Sequence, residues 1–144
     1  MIDQILKDAS ERPQIFVWRG PLDLEKVNAW LSHNQVNIPP DLKELWIVTG
    51  GGDIFESETL LSPLETDPSY DIEAVNRFHW QSGLDKSLLI FHVGTWISAV
   101  RNEPPHFVSF SLGDVEKKME FKDFDAWYRQ TVRREFAQRY GLED

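Results

Sequence analysis

The sequence predicts an α+β domain in one piece. Three features predict it: helical stripes fill most of the first 80 residues, β-prone runs crowd between Ser87 and Phe121, and one more helical stripe closes the chain. A chain of 144 residues holds one core. At this size a fold buries roughly 70% of the surface that its unfolded chain exposes. No internal repeat, linker or low-complexity tract divides it.

Ile2, Ile5, Leu6 and Ala9 repeat at helical spacing, and Pro13 ends that helix because it disfavours helical geometry at Arg12. Ile15–Trp18 is a short β-prone run stopped by Gly20-Pro21. A second helix starts with Asp23 as N-cap, where Leu22 and Val27 can clasp across its first turn. Val27, Trp30 and Leu31 form its buried stripe, and Asn34 ends it. Pro40 suits the first position of a third helix, since its missing N–H has no partner there anyway. Asp41 follows in the first turn, at the positive end of the helix dipole. Leu42, Leu45, Trp46 and Thr49 continue one face until Gly50-Gly51-Gly52 terminates it.

Asp53–Glu56 and Thr59–Leu61 read as short strands, and Tyr70–Trp80 as a helix with Ile72, Val75 and His79 on one side. Ser87–Val93 is apolar on both faces, the mark of a central strand covered twice. Trp96–Arg101 and Phe107–Leu112 follow as strands joined through Asn102–Pro105. Val115–Phe121 alternates, with Glu116, Lys118 and Glu120 outward and Lys117 inward, which suits an edge strand. A single closing helix is expected from Lys122 to Tyr140. Phe124, Trp127, Tyr128, Thr131 and Tyr140 point inward, and Arg133, Arg134 and Arg139 sit near its negative end.

Composition excludes several function classes. Hydrophobic residues at 41% and charged residues at 27% are globular values, unlike those of a disordered chain. With no cysteine there is no disulfide, thiolate zinc site or cysteine nucleophile. Fifteen basic against 24 acidic residues give −9, the wrong sign for gripping nucleic acid directly. No apolar run approaches the ~20 residues of a membrane span. Met1–Arg12 is too charged for a secretory signal, so no membrane role and a cytoplasmic location are expected.

The segment Ile38-Pro39-Pro40-Asp41-Leu42-Lys43-Glu44-Leu45, running through Trp46–Thr49 into Gly50-Gly51, resembles the signature of the SUKH superfamily. These are bacterial immunity proteins related to fungal cell-wall-assembly regulators. Leu88–Phe91 into Val93-Gly94, and Phe121–Tyr128, sit where that family has its central strands and final helix. Thr49 stands where the family often has Asn, and the turn after the central strand is reduced to Gly94-Thr95. The resemblance implies a mainly antiparallel sheet with helices packed on one side. In that frame Pro39, Asp41, Leu45, Gly50 and Gly51 are structural. It further implies a non-catalytic protein that binds and neutralises a toxin domain.

Charge distribution suggests the binding surface. No basic residue lies between Lys43 and Arg77, whereas Glu44, Asp53, Glu56, Glu58, Glu65, Asp67, Asp71 and Glu73 do. Asp53, Glu56, Glu58, Glu65 and Asp67 are therefore candidates for docking a basic protein partner, such as a toxin domain with a basic cleft. The alternative is a solvated face that keeps an acidic protein soluble. Trp46, Trp96 and Trp127 fit apolar stripes and read as core. Among Trp18, Trp30 and Trp80, Trp80 is the candidate interface anchor.

Other chemistry finds little support. The three glycines follow a helix and precede Asp53, the reverse of a phosphate loop. His33, His79, His92 and His106 form no metal-ligand spacing, so no metal and no cofactor are expected. His79 and His92 read as partly buried. Ser109 and Ser111 lack a nucleophile elbow, and the Glu56/Glu58 pair would share a strand face without further catalytic signal. The rival readings are a regulatory or scaffold module with a cellular partner, and a small ligand-binding domain or enzyme with a His- and Trp-lined cleft.

Overall fold

A computed structural model describes residues 1–142. Seven strands form one antiparallel meander in chain order: β1 (Phe16–Trp18), β2 (Gly52–Ile54), β3 (Glu58–Leu60), β4 (Leu89–Val93), β5 (Ile97–Val100), β6 (Phe107–Ser111) and β7 (Asp114–Phe121). The helices are α1 (Asp3–Glu11), α2 (Leu24–His33), α3 (Pro40–Thr49), α4 (Ile72–Gln81), α5 (Phe124–Gln130) and α6 (Val132–Phe136), with a 3-10 turn at Pro13–Ile15. The fold is α+β around one core.

Asp23 caps its helix as expected, and two further aspartates do the same. The Asp23, Asp71 and Asp123 carboxylates accept from the amides of Glu25, Glu73 and Ala126, which start α2, α4 and α5. Pro39 is the N-cap of α3 and Pro40 its first residue. Gly50 ends that helix at φ +74°, and a Cβ there would stand 1.8 Å from the Gly20 carbonyl oxygen. A Cβ on Gly51 would likewise meet the Leu60 carbonyl oxygen at 2.5 Å. The Thr49 hydroxyl accepts from the Gly51 amide at 3.1 Å and holds the turn that follows α3. Asp41 does more than face a dipole, since it pairs with the Met1 amino group and accepts from the Phe124 amide, joining α3 to α5.

Cross-strand pairing assigns the two faces of the sheet. Leu60, His92, Ser98 and Ser109 are neighbours in register, so they share a face, and Trp127 of α5 packs there. A β-bulge between Ile90 and His92 turns both Phe91 and His92 toward α5, with ring centroids 4.9 and 5.1 Å from Trp127. Each fully buried aromatic removes roughly 150–250 Å² from water, worth about 4–6 kcal/mol in transfer terms. Phe55, at φ +51° in the β2–β3 turn, inserts among Phe16, Tyr128, Phe136 and Tyr140.

Helix α4 is placed differently from α5. Where β3 leaves β4, the Asn76 side chain takes over its pairing: Oδ1 accepts from the Ile90 amide at 2.7 Å, and Nδ2 donates to the Ile90 carbonyl at 2.9 Å. The helix thus lies beside β4, and its Val75 and Phe78 reach the opposite face, next to Val93 and Ile97. Ala99 and Val108 on that face are fully buried too, so β5 and β6 are covered on both faces.

Four expectations need correction. The closing helix is broken at Thr131 (φ −115°, ψ −97°), whose hydroxyl bonds back to the Trp127 carbonyl. Arg133 is buried, not displayed at a helix end, and its Nε donates to Asp8 at 2.7 Å. A second register shift, between Ser109 and Ser111 of β6, sets β7 so that the Lys117 side chain is 87% exposed and Lys118 lies over the Phe110 ring. Trp96 is half-buried in the β4–β5 turn and does not belong to the core.

Candidate functional site

The α5-facing side of the sheet carries a buried polar array. Glu58, His92, Ser98 and Ser109 are each 0% exposed. His92 Nε2 lies 3.0 Å from Glu58 Oε1, and its Nδ1 lies 2.8 Å from Ser98 Oγ. Ser98 Oγ in turn sits 2.7 Å from Ser109 Oγ, and the Trp127 indole N–H donates to both hydroxyls. The carboxylate also accepts from the Ser57 hydroxyl and from the Thr95 amide and hydroxyl. Gly94 is required there, because a Cβ would stand 2.2 Å from Glu58 Oε1.

One proton order satisfies every member. Burial depresses the His92 pKa against the opposing pull of Glu58, so the imidazole is neutral. Burial pushes Glu58 upward, but hydrogen bonds from His92, Ser57 and Thr95 outweigh it and hold the carboxylate below its usual range. His92 therefore donates from Nε2 to Glu58 and accepts at Nδ1 from Ser98, which accepts from Ser109 and Trp127. Carboxylate, imidazole and hydroxyl stand in the order of a hydrolase triad. Here the hydroxyl oxygen is enclosed and already accepts two hydrogen bonds, so the array fastens the sheet to α5. Ser111 lies outside it and is exposed. His92 is wholly buried, beyond the partial burial expected, and the same burial removes Glu58 from the candidate contact surface.

The remaining acidic candidates separate. Asp53, Glu65 and Asp67 gather around Arg19 and Tyr70. Arg19 donates to both Glu65 oxygens, at 2.9 and 2.7 Å, and its guanidinium stacks 4.3 Å over the Tyr70 ring. The Tyr70 hydroxyl donates to Asp53, which also accepts from Thr59. The Arg19 hydrogen bonds hold Glu65 below the usual carboxylate range. Asp67 accepts from the Ser69 amide and turns the chain toward α4. Glu56 stands apart in the β2–β3 turn at φ +66°, near the Tyr140 hydroxyl. It therefore shares no strand face with Glu58.

Trp80 also differs from expectation. Its indole N–H donates to the Leu88 carbonyl at 2.9 Å, and the half-buried ring lines a cleft of about 200 Å³ with Trp30, Val36, Glu73, Asn76 and Leu89. Trp30 is buried and donates to Glu73 at 2.6 Å. The aromatic that α4 displays is Phe78, 65% exposed. The signal for it was present, because Phe78 falls off the Ile72–Val75–His79 stripe and beside Arg77. Asp8 was missed as well. It is buried and accepts from Tyr128, Arg133 and Gln4, tying α1 to the closing helices.

Among the described residues no group of three or more His, Asp and Glu is arranged to hold a metal ion. No helix among them is long and apolar enough to cross a membrane. Comparison with family models, curated proteins and solved structures finds no match to this chain.

Proposed function

We propose that this chain is a cytoplasmic immunity protein of the SUKH type, which binds a cognate basic toxin domain one-to-one and neutralises it without catalysis. The observation that carries the reading is the use the fold makes of the Pro39–Gly51 segment. Pro39 and Pro40 start α3, Asp41 joins it to α5 and the chain's beginning, and Leu45 is buried. Gly50 and Gly51 let the chain turn against Gly20 and Leu60 into the meander. Pro39, Pro40, Asp41, Leu45, Gly50 and Gly51 are thus joints of this fold, which supports the reading. The acidic excess of the first half, 13 acidic against 5 basic residues through Ile72, supports a basic partner.

Neutralisation at nanomolar concentration needs about −12 kcal/mol of binding free energy. Calorimetric titration against the C-terminal domain of the protein encoded beside this one, at two salt concentrations, tests the reading. Tight one-to-one binding that weakens as salt rises is expected. Absence of binding refutes it and gives the lead to a scaffold module with another partner.

A further inference from the structure

The two aromatics near the C-terminal end of α4 have opposite fates. Helical residues two positions apart point about 200° apart around the axis, so Trp80 turns inward while Phe78 turns out. Phe78 lines a shallow apolar depression with Val75, Val93, Ile97 and Leu112, and Leu112 is itself 55% exposed. Pro68 closes one end, and the residue before it, Asp67, belongs to the acidic group around Arg19 and Tyr70. The register makes these one surface: Asp53 pairs with Thr59, Thr59 with Val93, and Val93 with Ile97. That row crosses three inter-strand spacings, about 14 Å, from acidic to apolar without changing face. Isolated exposed apolar residues are ordinary, but here residues of α4 and of the β6–β7 turn converge on one depression beside a segment free of cations from Glu44 to Asn76.

We infer that this face is the toxin-contact surface, an inference that rests on the immunity reading. Phe78 and Leu112 form its apolar centre, and Asp53 and Asp67 form its acidic rim. The occupant is a basic protein domain that presents an apolar protrusion flanked by Lys or Arg. Arg19 is engaged by Glu65 and Tyr70 and holds the rim in place. Apolar centre and charged rim divide the work as in other protein interfaces: the centre sets the dissociation rate and the rim sets the association rate.

The test titrates wild type, Phe78→Ala, Asp67→Lys and Leu24→Ala against the same neighbouring-gene domain, with melting temperatures confirming that each variant folds. Phe78→Ala is expected to weaken binding about thirtyfold or more, mainly through faster dissociation. Asp67→Lys is expected to slow association and flatten its salt dependence. Leu24, 49% exposed on α2, serves as the apolar control and its variant retains wild-type affinity. Tight wild-type binding with Phe78→Ala and Asp67→Lys both within about threefold of it overturns the surface assignment and leaves the immunity reading standing. Failure of the wild type to bind overturns both.

Discussion

Replacing His92 by Gln separates the titration of the buried array from its hydrogen bonding. The glutamine amide N–H can face Glu58 and its carbonyl oxygen can accept from Ser98, so the array keeps its connections but loses its titrating ring. In the wild type, burial holds the His92 pKa below its ordinary value of about 6.5. The unfolded chain therefore takes up a proton that the folded chain refuses, and stability falls as pH drops below that ordinary value. Each pH unit over which folded His92 stays neutral and the unfolded chain is protonated costs about 1.4 kcal/mol. Glu58 acts in the same direction at lower pH: its depressed pKa adds stability that is present above the usual carboxylate value and lost as pH falls through the folded one. The assay is urea unfolding of both proteins in steps from pH 7.5 to 5. His92→Gln is expected to be less stable at pH 7.5 by about 1–3 kcal/mol, through imperfect replacement of buried hydrogen bonds. Its stability should then fall less steeply, the difference in slope approaching 1.4 kcal/mol per pH unit. Parallel pH profiles would refute the neutral, buried imidazole and with it the proton order of the array.

Asp8→Ala should destabilise by about 3–5 kcal/mol in urea unfolding, because it removes a buried carboxylate that serves Arg133 and Tyr128 together. Tyr128→Phe deletes one of those hydrogen bonds and should cost about 1–2 kcal/mol. Gly50→Ala should cost more than the ~1–3 kcal/mol of left-handed strain alone, since its Cβ would also overlap the Gly20 carbonyl. Gly83→Ala, at φ +109° in open space, should cost less than Gly50→Ala by thermal melting. Ser98→Ala should lose about 1–3 kcal/mol and perturb Trp127 fluorescence, because it removes the hydroxyl that bridges His92 to the indole.

What could be read in the sequence was local. Caps, prolines and glycine stops act within a turn or two, so Asp23, Pro40 and the stop at Gly50 were legible. What could not be read depended on distant partners. Asp8 and Arg133 are 125 residues apart, and only their mutual burial explains either. The break at Thr131 interrupts a stripe whose spacing looks continuous, and just beyond it Arg133 turns inward to Asp8 of α1, a partner no local spacing reveals. Glu58 illustrates the difficulty most clearly. An acidic residue in an acidic stretch reads as surface, yet Glu58 shares the inward face with Leu60, and His92, 34 residues later, supplies the compensating donor. Lys117 and Lys118 exchanged roles because a bulge shifts pairing by one position, and a period of two makes every side chain sensitive to that shift.

The acidic residues differ in charge bookkeeping as well as in position, and this decides how electrostatics can act in the proposed binding. Asp8 faces Arg133 and Glu65 faces Arg19, so each pair contributes little field at a distance. Glu58 is buried against a neutral imidazole, and its full negative charge is uncompensated although it touches no partner. Asp67 and Glu56 have no ion-pair contact within 4 Å among the described residues and stand nearer to solvent. Long-range attraction of a basic domain therefore draws on Glu58, Glu56, Asp53 and Asp67 together, whereas close contact involves Asp53 and Asp67 and not Glu58. Salt screens the first contribution within about 8–10 Å and leaves the apolar contact at Phe78 almost untouched. Association should accordingly be salt-sensitive and dissociation salt-insensitive. A dissociation rate that rises steeply with salt would place the contact on the carboxylates and away from the aromatic centre.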